Sequence, residues 1–123
     1  MAKNAKQFEQ RPWGTFEVIH EFNQGDGSEV VVKKIVVHPG KRLSYQSHKK
    51  RKEHWLIVEG SGHVILDGEE IKVDPESKVV VDLGKKHRII NSHPKDNLTF
   101  IEVSLGEFDE NDIVRYEDDF GRA

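Results

Sequence analysis

The stretch Gly40 to Gly60, GKRLSYQSHKKRKEHWLIVEG, constrains the chain more than any other. Within it the residues fall as Gly40-x5-Gln46-x-His48-x4-Glu53-x6-Gly60. Side chains alternate faces along a β-strand, so Gln46 and His48 point the same way. Lys49 to Lys52 read as a short turn, and the next strand, beginning at Glu53, faces the same cavity. One hairpin then gathers an amide oxygen, an imidazole and a carboxylate. Further on, DLGKKHRIIN places His87 at the head of a strand after a glycine turn. Alternation gives His87, Ile89 and Asn91 one face, with Arg88 and Ile90 on the other. Gln46, His48, Glu53 and His87 are therefore the predicted ligands of one divalent metal ion. Two imidazoles, a carboxylate and an amide suit Zn, Mn, Co, Ni or Fe(II) alike.

The remaining segments are short strands between turns. TFEVIHEF alternates, Asn23 to Ser28 reads as a hairpin loop, and EVVVKKIVV is rich in β-branched residues. GHVILDG and EEIKV pair across the tight turn Asp67-Gly68, and KVVVD and HRIIN flank Gly84. NLTFIEVSL follows the loop Ser92 to Asn97. With almost no helical periodicity, the pattern predicts an all-β protein, an antiparallel sandwich or barrel. Residues 1–10 are polar and read as an arm, and 11–123 as the domain.

Composition narrows the classes. A chain of 123 residues fits one domain, and 35% hydrophobic with 33% charged residues describes a soluble protein with a small core. A net charge of −3 argues against a general nucleic-acid or membrane-surface binder. The absence of cysteine excludes disulfides and thiolate metal sites. No apolar run is long enough to span a bilayer, and MAKNAKQFEQ lacks the apolar segment of a signal peptide, so a cytoplasmic protein is expected.

The two glycine-turn-then-histidine segments resemble the two motifs of the cupin superfamily, with Gln46 in place of the first histidine and no proline ahead of Gly84. That resemblance implies a β-jelly roll with the metal inside the barrel. The ends sharpen it. Arg11-Pro12-Trp13-Gly14-Thr15-Phe16-Glu17-Val18, the centre from Pro39 to Trp55, and the tail from Ile101 through Asp112-Ile113-Val114-Arg115 to Arg122 resemble the cupin domain of type II phosphomannose isomerases. Many relatives also carry a sugar-1-phosphate nucleotidyltransferase domain, for which this chain has no room. The resemblance implies a standalone metal-dependent isomerase of mannose 6-phosphate and fructose 6-phosphate, moving a proton through an enediol. The alternatives are a non-catalytic cupin that binds metal and a sugar phosphate, and a different metal-dependent cupin enzyme.

Under this reading the small-molecule partner is a sugar phosphate, with Arg51, Lys86 and Arg115 as its cationic contacts. No residue identifies itself as the catalytic base. Lys50 stands where the relatives carry the last histidine of a His-His-His-Arg run, and it is the candidate replacement. His20, His38, His63 and His93 read as surface or filler, His54 faces away from Glu53, and Trp13 and Trp55 read as packing residues. Asn91 reads as a turn or supporting residue rather than a ligand. A homodimer formed through strand edges is expected.

Overall fold

The computed structural model describes residues 7–121, apart from 24, 26, 27 and 108. Eleven strands are formed among the described residues: β1 (Gln7–Arg11), β2 (Gly14–Asn23), β3 (Glu29–Val37), β4 (Tyr45–Ser47), β5 (Arg51–Glu59), β6 (Gly62–Leu66), β7 (Glu69–Val73), β8 (Lys78–Val81), β9 (His87–Ile90), β10 (Leu98–Gly106) and β11 (Val114–Glu117). A 3-10 turn, Glu110–Asp112, precedes β11. No helix among the described residues is long and apolar enough to cross a membrane.

Two antiparallel sheets form the two layers of a jelly roll. One runs β1-β2-β3-β10-β5-β8, the other β11-β4-β9-β6-β7. Their inner faces share a core of Trp13, Ile35, Val37, Trp55, Ile57, Val64, Val73, Val79, Val81, Ile89, Leu98 and Phe100. Strand β5 follows the period-two rule, with Glu53, Trp55 and Ile57 buried and Lys52, His54, Leu56 and Val58 exposed.

Two expectations shift. The polar N-terminal segment is not all arm: residues 7–10 belong to β1, which pairs with β2 from Gln7 opposite Val18 to Arg11 opposite Gly14. The first six residues, together with Gln24, Asp26 and Gly27 of the expected hairpin loop and Arg122 of the tail motif, lie outside the described residues. The predicted metal hairpin is not a hairpin either, since β4 and β5 lie in opposite sheets. The chain crosses the barrel between Ser47 and Arg51, so Gln46 and Glu53 approach from facing walls. Alternation fixes which face a side chain takes, but not which sheet its strand joins.

Two tight passages need left-handed backbone. The Asp67-Gly68 turn has φ of 47° and 83°, the doubly left-handed pair that suits a two-residue hairpin between β6 and β7. Gly60 ends the first motif at φ 80°, where a Cβ would lie 2.2 Å from the Asn97 carbonyl oxygen. Only glycine meets both demands there.

Candidate metal centre and its cavity

Inside the barrel the inward row changes character along the central strands. On β10 it runs Phe100, Glu102, Ser104; on β5, Ile57, Trp55, Glu53, Arg51; on β3, Ile35 then Lys33. Phe100 pairs with both Ile35 and Ile57, whereas Glu102 pairs with Lys33 and Trp55, and Ser104 with Glu53. The apolar half closes the barrel, and the charged half lines a cavity of about 400 Å³.

His48, Glu53 and His87 meet at the boundary between these halves. Their donor atoms lie within 4.8 Å of one another, and all three residues are at most 3% exposed. Burial is the main reason the His48 pKa falls to about 3, and it pushes His87 down as well. Both imidazoles are therefore neutral at pH 7, so their 3.8 Å approaches to Glu53 are not ion pairs.

The surroundings aim each donor. His87 Nδ1 lies 2.9 Å from the Lys85 carbonyl oxygen, which can only accept, so Nδ1 carries the proton. Nε2 then keeps the lone pair. It is buried without a hydrogen-bond partner and lies 3.8 Å from Glu53 Oε1. Trp55 Nε1 donates to that same Glu53 oxygen at 3.0 Å and fixes the carboxylate plane. Gln46 lies directly opposite His87 across the β4–β9 pair and lines the cavity, its Oε1 accepting from Ser44 Oγ at 2.8 Å. A buried carboxylate beside two neutral imidazoles, one with an orphaned lone pair, fits a divalent cation in charge and donor type.

Of the predicted cations, Arg51 and Arg115 line the cavity. Arg115 reaches it because β11 lies against β4 with Arg115 opposite Gln46. That strand is fastened by Ser47 to the Tyr116 hydroxyl at 2.9 Å and by Arg88 Nη1 donating to Glu117 at 3.1 Å. Lys86 does not line the cavity: its ammonium lies over the Tyr116 ring, 4.4 Å from the centroid, on an exposed residue. Lys50 is also placed elsewhere. Its Nζ is exposed, bonded to Asp109 at 3.0 Å with Glu107 at 3.9 Å, and the Asp109 hydrogen bond raises its pKa. A stabilised surface ammonium is the opposite of the desolvated amine that a lysine base requires.

Sequence reasoning missed three charged lining residues: Arg11, Lys33 and Glu102. Arg11 and Lys33 flank one ring, with the guanidinium carbon 5.1 Å and the ammonium 4.9 Å from the Phe16 centroid. Glu102 is buried, accepts from Ser104 Oγ at 2.9 Å and has its pKa raised to about 7, by burial first and by Glu53 second. The legible signal was a glutamate at inward parity between Phe100 and Ser104.

Trp13 and Trp55 are buried in the core, as expected of packing residues. Trp55 also serves the site through Glu53, and Trp13 lines the cavity. Asn91 is buried and tethers the chain, its Nδ2 donating to the Val37 and Asp96 carbonyl oxygens at 2.9 and 2.8 Å.

Fold and site together define a jelly-roll cupin with a candidate metal centre inside the barrel. The family described as mannose-6-phosphate isomerase C-terminal matches residues 2–118, and the chain belongs to it. The chain is 38% identical over 92% of its length to the mannose-1-phosphate guanylyltransferase ManC of Salmonella typhimurium, of which it spans 22%. It is 39% identical over 92% of its length to the xanthan biosynthesis protein XanB of Xanthomonas campestris, spanning 23% of it. With the alginate biosynthesis protein AlgA of Pseudomonas aeruginosa the identity is 36%, over 92% of this chain and 22% of that one. The chain thus spans about a fifth of the length of these relatives.

Among solved structures, Streptomyces PAC13 with uridine superposes with a TM-score of 0.73 at 15% identity, covering 94% of this chain and 88% of that one. A cupin-2 domain from Rhodospirillum rubrum gives 0.67 at 17%, covering 87% and 78%. Both bear on the fold alone.

The relatives correct one expectation. A standalone isomerase of mannose 6-phosphate and fructose 6-phosphate does not stand, because the proteins matched along nine-tenths of the chain are named for mannose-1-phosphate guanylyl transfer or polysaccharide biosynthesis. The motifs identify the domain, and a domain does not fix the reaction of the protein that carries it.

Proposed function

We propose that this chain is a divalent-metal cupin module of mannose-phosphate and sugar-nucleotide metabolism, binding a sugar phosphate in the cavity beside its metal. One observation carries the reading: a buried trio of metal-type donors meets, through Glu53, a cavity that Arg11, Lys33, Arg51 and Arg115 also line. His48, Glu53 and His87 would hold the ion, with Gln46 beside them. A bound divalent ion supplies Lewis acidity toward a sugar oxygen. The protein's own part is to neutralise and orient the phosphate through its guanidinium groups, which match phosphate oxygens in pairs. Trp13, Phe16, Ile35, Leu43 and Ile113 give the cavity its apolar walls.

The names of the relatives support placing this module within an enzyme system that handles mannose 1-phosphate. The test strips the protein with chelator and titrates it calorimetrically with Zn, Mn, Co, Ni and Fe(II), then titrates the loaded protein with mannose 1-phosphate. One-to-one metal uptake and saturable sugar-phosphate binding that Arg115→Ala weakens about tenfold are expected, since a charged hydrogen bond is worth about 1.5–3 kcal/mol. Uptake of none of these metals overturns the reading.

A further inference from the structure

Arg51 makes the contacts that a metal ion would make. Its Nη2 lies 2.8 Å from His48 Nε2, and its Nε lies 3.5 Å from Glu53 Oε2. Arg51 and Glu53 stand two residues apart on β5, so strand parity sends both inward and aims the guanidinium at the donor cluster. A guanidinium carries donors and no acceptor. The 2.8 Å contact therefore uses the lone pair of His48 Nε2. A neutral imidazole has one such nitrogen, so the proton of His48 sits on Nδ1, the nitrogen 3.8 Å from Glu53.

A divalent ion needs the same lone pair. Bound at Nε2, it displaces the guanidinium directly. Bound at Nδ1, it sends the proton to Nε2, where it meets N–H groups that have lost their acceptor. By either route His48 can serve Arg51 or the metal, but not both. Glu53 works in the same direction, because a divalent ion and a guanidinium crowded against one carboxylate repel each other.

The displaced side chain has a destination. Arg51 is partly exposed and borders the same cavity as Arg11, Lys33 and Arg115. The Lys33 ammonium shares the Phe16 ring with Arg11, whose guanidinium pairs with Glu9 at 2.6 Å. Four cationic side chains against the two carboxylates Glu53 and Glu102 leave this cavity suited to an anion.

We propose that Arg51 is an exchangeable counter-ion: it holds His48 and Glu53 when no metal is bound, and metal binding turns it into the cavity, where it grips the phosphate of the ligand. Metal and anion then bind cooperatively, through one side chain that each frees for the other. This rests on the metal and sugar-phosphate reading above.

The test uses the full chain, stripped with chelator, as wild type and as Arg51→Gln. Zinc affinity is measured by chelator competition with and without saturating mannose 1-phosphate, and the Arg51 guanidinium is followed by nitrogen-15 NMR. Arg51→Gln should bind zinc roughly tenfold tighter than wild type when no sugar phosphate is present, within the usual range for coupled sites. Mannose 1-phosphate should raise zinc affinity in the wild type by a similar factor and leave that of Arg51→Gln within twofold. In the wild type zinc should shift the guanidinium resonances. Equal zinc affinity in the two proteins, or an Arg51 signal that zinc does not move, overturns the exchange while leaving the metal reading standing. A wild type that takes up no zinc overturns both.

Discussion

The backbone amide of Gly84 donates to the carbonyl oxygen of His48 at 2.7 Å, joining the turn of one motif to the ligand of the other. The bond ties the wall that carries His48 to the turn that presents His87. Gly84 sits at φ 78°, and among the described residues nothing lies within 4 Å of where a Cβ would be, so the position demands a backbone conformation rather than space. Asp82 Oδ1 caps Leu83 N at 2.8 Å and Asp82 O accepts from Lys85 N, holding the turn without a proline.

Gly84→Ala should therefore fold but lose about 1–2 kcal/mol, the cost of a side chain in the left-handed region. Urea denaturation measures that loss, and zinc affinity should fall with it as His87 drifts from the cluster. An alanine variant as stable as wild type would show that the turn relaxes freely.

Trp55 and Glu53 form the second coupling, through the 3.0 Å bond from the indole to Oε1. Trp55→Phe keeps most of the packing volume against Phe100 but leaves a buried carboxylate oxygen without its donor. The expected cost is about 1–3 kcal/mol of stability. Zinc affinity should fall roughly 10–100-fold, as for other partners that orient a ligand. Glu53→Gln separates charge from shape, since its amide oxygen can still accept from the indole. That variant should keep its melting temperature within a few degrees and lose zinc binding at least as severely. Unimpaired zinc uptake by Glu53→Gln would remove Glu53 from the ligand set.

How far the site could be read from sequence followed from distance along the chain. Gln46, His48 and Glu53 lie close together, and parity on two short strands was enough to group them. His87 joined through the second glycine turn. Parity could not reveal that β4 and β5 belong to facing sheets, because that depends on long-range pairings such as Glu102 with Trp55 and Gln46 with His87. For the same reason the cavity wall was only half visible. Arg11, Lys33 and Glu102 come from β1, β3 and β10, which sheet order alone brings beside β5 or across from it. Lys50 and Lys86 had the right charge and neighbourhood in sequence, but they sit where acidic and aromatic partners on the C-terminal segment hold them at the surface.

Glu102 makes the pH dependence of the fold predictable. Its carboxyl is buried against Glu53, with Lys33, Arg51 and the Ser104 hydroxyl only partly offsetting the cost, and its pKa stands at about 7 against an ordinary 4.5. The folded state thus binds a proton more tightly at this group than the unfolded chain does. Stability from Glu102 is complete below pH 4.5 and is lost as pH rises through 7, by on the order of 3 kcal/mol. Glu102→Gln keeps an oxygen to accept from Ser104 and never ionises. With chelator present, the variant should melt close to wild type at pH 4.5 and roughly 10 °C higher at pH 8. His48 and His87, whose lowered pKa values remove stability as pH falls below 6.5, are present in both proteins and drop out of the comparison. A gap in melting temperature that is the same at both pH values would mean that Glu102 does not ionise within the barrel in this range. Its role there would then be packing alone.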